Sequence, residues 1–86
     1  MPKVSEFYGI QIIFYLNEHG TPHFHARYSG GRVSIAIESL EILKGSIAPR
    51  AMRLVSEWAA AHRAELLESW KEARAGRLPK PIPPLE

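Results

Sequence analysis

The chain contains no cysteine and no aspartate. The first absence removes disulfides, thiolate metal sites and cysteine nucleophiles together. The second leaves glutamate as the only acidic side chain, so any metal would have to draw on histidine, glutamate and water. No apolar run reaches the length of a bilayer span, and the opening M-P-K-V-S-E-F-Y-G has no apolar signal core, so a cytoplasmic protein without a membrane partner is expected. Excess charge is small too: eleven Lys and Arg oppose nine Glu, for a net charge of +2. That is too little for a bulk nucleic-acid footprint and leaves room only for a local patch.

What is present fits one small domain. A chain of 86 residues, 45% of them hydrophobic, buries little more than ~60% of its unfolded surface. Its core is thin, and a homo-oligomer or hetero-complex is the expected assembly. The domain is expected over residues 1–78, with 79–86, rich in proline, as an extended tail.

Ile10 to Leu16, I-Q-I-I-F-Y-L, is a β-branched and aromatic run that predicts a strand buried on both faces. His23 to Ser29 and Arg32 to Glu38 alternate in type around Gly30-Gly31, a pair suited to a two-residue hairpin turn. With that turn, Tyr28 faces Val33, Ala26 faces Ile35 and Phe24 faces Ile37 on an apolar side. Arg27 then faces Ser34, His25 faces Ala36 and His23 faces Glu38 on a polar side. Three strands follow, or four if Glu41 to Gly45 also pairs.

Pro49 suits a first helical position, with an Ile47 to Met52 staple, and helix formers continue to about Ala75, where Gly76 and Pro79 signal a stop. The apolar stripe rotates after Ala61, which predicts a bend between Ala60 and Arg63. The fold class read from these signals is α+β: an antiparallel sheet of three to four strands packed on one long, bent C-terminal helix.

Chemistry concentrates between Glu18 and Tyr28, E-H-G-T-P-H-F-H-A-R-Y, which holds three of the four histidines. One reading is acid–base catalysis on RNA. His23, oriented by Glu38, and His25 would exchange protons with the 2′-hydroxyl and the leaving oxygen, while Arg27 and His19 contact phosphate. Such an enzyme is a metal-independent ribonuclease and needs no cofactor. A second reading is a metal site, because His-x-His on a strand points both rings the same way and His19, Glu38 or His62 supplies a third ligand. A solvated sheet face with one cross-strand ion pair explains the same residues without function. His62 falls on the helix stripe that faces the sheet, as a core histidine or a fourth member of the cluster. Trp58 and Trp70 have the spacing of core residues.

These residues carry a family resemblance: F-Y-G-I near the start, N-E-H-x-x-P-H-F-H-A-R-Y, I-A-I-E, and the helix L-V-S-E-W-A-A-A-H-R-A-E-L-L-E-S-W. From about Lys3 to its end the chain closely resembles the bacterial family called domain of unknown function 4160. The marker is Pro22-His23-Phe24-His25, and Thr21 departs from the second proline frequent at that position. The resemblance implies a small prokaryotic protein encoded beside a second small protein in a toxin–antitoxin-like layout. It thus implies a cognate small partner protein, with RNA as the target if this is the toxic member. A noncatalytic, partner-binding antitoxin or regulatory role is the alternative. The resemblance brings no catalytic residues with it.

Overall fold

A computed structural model describes residues 2–86. Its five strands form one antiparallel sheet in chain order: β1 (Lys3–Phe7), β2 (Ile10–Ile13), β3 (His23–Tyr28), β4 (Gly31–Ala36) and β5 (Ile42–Ser46). Two helices follow, α1 (Pro49–Ala61) and α2 (Arg63–Arg74). The α+β class stands, but the sheet has five strands rather than three or four, and the single helix is two.

The additional strand is β1. Tyr8 and Gly9, both at positive φ, turn it onto β2 so that Phe7 faces Ile10. Lys3, Ser5 and Glu6 dilute its apolar signal, and only the buried Val4 and Phe7 fix it to the core.

The β3–β4 turn is built on Ser29 and Gly30, at φ 48° and 82°, instead of Gly30-Gly31. Phe24 therefore faces Ile35, His25 faces Ser34, Ala26 faces Val33 and Arg27 faces Arg32. Each partner moves by two residues from the expected register. Two residues is one full period of a strand, so the same side chains still share each face. Glu38 is the casualty: it lies past the end of β4, exposed, and His23 faces Ala36 instead.

One face of the sheet, with Ile10, Ile12, Phe24, Ala26, Val33 and Ile35, receives Trp58 of α1, whose ring centroid lies 5.3 Å from Phe7 and 6.2 Å from Phe24. A straight helix over Pro49 to Arg74 would reach ~39 Å, whereas the molecule's longest dimension is 32 Å. The chain breaks at His62 (φ −125°, ψ 25°), where the apolar stripe rotates, and α2 then turns Leu66, Trp70 and Ala73 inward. The His62 ring lies on Trp58 and pairs with Glu65, apart from the other histidines. Gly76 (φ 80°) ends α2 by donating to Ala73 O while Arg77 N–H donates to Glu72 O.

The proline-rich tail is a strap. Ile82 is buried and its N–H donates to Val4 O at 2.7 Å, and the Trp58 indole N–H donates to Pro83 O at 2.8 Å. At the other side of the sheet, β5 is exposed along its whole length, with Ile42 and Leu43 about half exposed. Among the described residues no helix is long and apolar enough to cross a membrane.

Candidate metal centre

The face of the sheet opposite Trp58 carries His23 and His25, two residues apart on β3 and therefore on the same side. Their ring centroids are 5.1 Å apart. Between β2 and β3 the chain leaves the sheet, and Asn17, at φ 62°, donates its N–H to Ala73 O of α2 at 2.9 Å. This bond anchors the loop on the helix end and returns Glu18 over the strand it precedes.

Glu18 bridges the two imidazoles. Its Oε1 lies 2.7 Å from His25 Nε2 and its Oε2 lies 3.2 Å from His23 Nε2. The far nitrogens are held as well: His23 Nδ1–H donates to Thr21 O at 2.7 Å, and His25 Nδ1 sits 3.1 Å from Ser34 Oγ. Trp70 packs on the His23 ring at 4.9 Å and Tyr15 meets the His25 ring edge-on at 4.5 Å. The histidine side chains are only 11% and 14% exposed, against 30% for Glu18, so the donor atoms look out from a partly enclosed pocket.

Burial pushes the Glu18 carboxyl up, but the hydrogen bond and charge of His25, followed by the charge and hydrogen bond of His23, outweigh it. The net result is a carboxyl held below its ordinary value. An ionised Glu18 leaves His23 with acceptors at both ring nitrogens, a carbonyl on one side and a carboxylate on the other. A neutral imidazole has one N–H to offer. The gap between His23 Nε2 and the Glu18 carboxylate would therefore suit a cation.

A metal ion would satisfy the whole group. With an ion bound, both Nδ1–H groups would donate outward, to Thr21 O and Ser34 Oγ, and both Nε2 lone pairs would turn inward beside the carboxylate. Outer hydrogen bonds of this kind fix the tautomer of metal-bound histidine. The three ligand atoms lie within 4.8 Å of one another. Ligands ~2.1 Å from an ion are roughly 3.0 to 3.4 Å apart at octahedral and tetrahedral angles, and the two contacts of Glu18, at 2.7 and 3.2 Å, lie near that range.

Of the residues singled out in the sequence, His23 and His25 are brought together. His19 is exposed in the loop, outside the group that Glu18 completes, and Glu38 is elsewhere. Arg27 lies on the same face, one strand repeat beyond His25. Glu18 was the residue missed. Its signal was its place five and seven positions before the two histidines, with Gly20 (φ 97°) between to let the loop fold back. Both Nε2 atoms converge on the one Glu18 carboxylate.

Neither the curated proteins nor the solved structures contain a match to the chain. Residues 9–71, which include Glu18, His23 and His25, match the family model described as Domain of unknown function (DUF4160), and the chain belongs to that family.

Proposed function

We propose that this protein is a metal-binding domain in which Glu18, His23 and His25 hold one divalent transition-metal ion on the open face of the sheet. The observation that carries this reading is the convergence on one carboxylate of two imidazoles whose outer Nδ1 atoms are already held by Thr21 O and Ser34 Oγ. Two histidines and one carboxylate form a borderline donor set that suits zinc, iron, cobalt or nickel in preference to calcium or magnesium. Three protein ligands leave coordination positions for water or substrate, and an ion held this way polarises an oxygen bound to it.

Titration of the purified protein with zinc and with cobalt tests the reading, with the visible spectrum of cobalt reporting coordination number. One ion per chain is expected. Glu18→Ala, His23→Ala and His25→Ala should each abolish tight binding, whereas His19→Ala should leave it intact. Absence of binding at micromolar metal, or binding indifferent to Glu18→Ala, would refute the site.

A further inference from the structure

The register of the sheet lines up a second group of residues on the same open face. Gln11 on β2 faces Arg27 on β3, Arg27 faces Arg32 on β4, and Arg32 faces Ser46 on β5. The next row toward the metal site holds His25, Ser34 and Lys44. Four strands side by side place Gln11 and Ser46 roughly 14 Å apart, at ~4.8 Å per strand.

Two arginines directly opposite each other across a strand pair repel. Among the described residues no carboxylate lies within ion-pair distance of Arg27, Arg32 or Lys44. The fold thus keeps three cations together with none of them in an ion pair, and Arg32 and Lys44 are exposed to solvent. A cleft of about 220 Å³ opens over Gln11, Arg27 and Arg32 beside the Ser29-Gly30 turn. A second, of about 300 Å³, connects Arg32 and Lys44 with His25 and Glu18.

We infer that this row, Gln11, Arg27, Arg32 and Ser46 with Lys44 beside it, binds the phosphodiester backbone of a nucleic-acid strand. Guanidinium forks match phosphate oxygens with paired hydrogen bonds. Gln11 and Ser46 add neutral donors at the two ends, so the row is longer than a single phosphate needs. The chain's small net charge is no obstacle, because the one carboxylate lining these two clefts, Glu18, is engaged by His23 and His25. The inference stands independently of the ion at Glu18, although a strand in the second cleft would pass beside it.

The test is fluorescence anisotropy of a short labelled single-stranded RNA with the full chain across a salt series, with and without chelator. Three phosphate contacts on a single strand predict a slope of log affinity against log salt of about −2. Arg27→Ala with Arg32→Ala should reduce that slope to about −0.7 and weaken binding about tenfold or more at low salt. Arg27→Lys with Arg32→Lys, which preserves charge, should keep the slope. The alanine pair should keep the circular dichroism and thermal unfolding of the natural chain, which checks its folding without recourse to the metal site. Three results would overturn the inference: no RNA binding by the natural chain at low salt, an unchanged slope in the alanine pair, or equal competition by polyglutamate or by inorganic phosphate at matched charge.

Discussion

The Glu18 carboxylate and the His25 imidazole meet at 2.7 Å although one belongs to a loop and the other to the middle of a strand. The contact makes stability depend on pH. The folded chain holds the Glu18 carboxyl below its ordinary value of 4.5. The ionised group therefore contributes stability that is fully present above pH 4.5 and is lost as pH falls through the lower, folded value. In metal-free protein, denaturant unfolding of the natural chain and of Glu18→Gln should show a gap at neutral pH that closes in acid. A constant gap across the series would contradict the assignment.

Ser34 should matter to metal affinity more than to folding. Removing its hydroxyl by Ser34→Ala takes away the group that anchors His25 Nδ1, and lost outer hydrogen bonds weaken metal sites by about 10-fold to 100-fold. Ser34→Thr, which keeps the hydroxyl, should restore most of the affinity. Competition against a chromophoric chelator measures both variants.

Gly45 should tolerate no side chain. Its φ is +79°, and an added Cβ would lie 2.3 Å from Arg32 O, a backbone atom with no freedom to retreat. Gly45→Ala is expected to destabilise the fold by about 1 to 3 kcal/mol. The loss should be concentrated in the β4–β5 pairing, where amide hydrogen exchange would show it. Gly20, with φ +97° and no atom within 4 Å of a Cβ, should suffer only the backbone strain.

Ending the chain after Pro81 should cost roughly 2 to 5 kcal/mol. The truncation exposes the surface that Ile82 covers and strands the Trp58 indole N–H, which loses Pro83 O inside the core. Trp58→Phe in the truncated chain should recover part of that loss, because it removes the orphaned donor. Thermal unfolding of the three chains provides the comparison.

Much of the architecture was legible in the sequence because it rests on periodicity. The polar and apolar faces of the β3–β4 hairpin follow from alternation, and the break at His62 follows from the rotation of the apolar stripe past Ala61. Register was harder to read. Ser29-Gly30 and Gly30-Gly31 differ by a full strand period, so both satisfy the same hydrophobic pattern, and alternation does not reveal that Ser29 takes φ 48°. The site was half legible for a related reason. His23 and His25 share a strand, where spacing dictates direction. Glu18 reaches them through a loop whose path depends on Asn17 bonding to Ala73, a residue 56 positions further along the chain.

The two margins of the sheet are unlike, and this limits how copies of the chain can join. At β1 the returning strap occupies Val4 O with the amide of Ile82 and lays prolines alongside, while β5 presents a bare rim. A molecule with one open rim can pair rim to rim about a two-fold axis, and that pairing consumes the rim of both copies. Growth into a continuous fibre needs two open rims per molecule, so the strap makes a closed pair the endpoint of any association through the sheet.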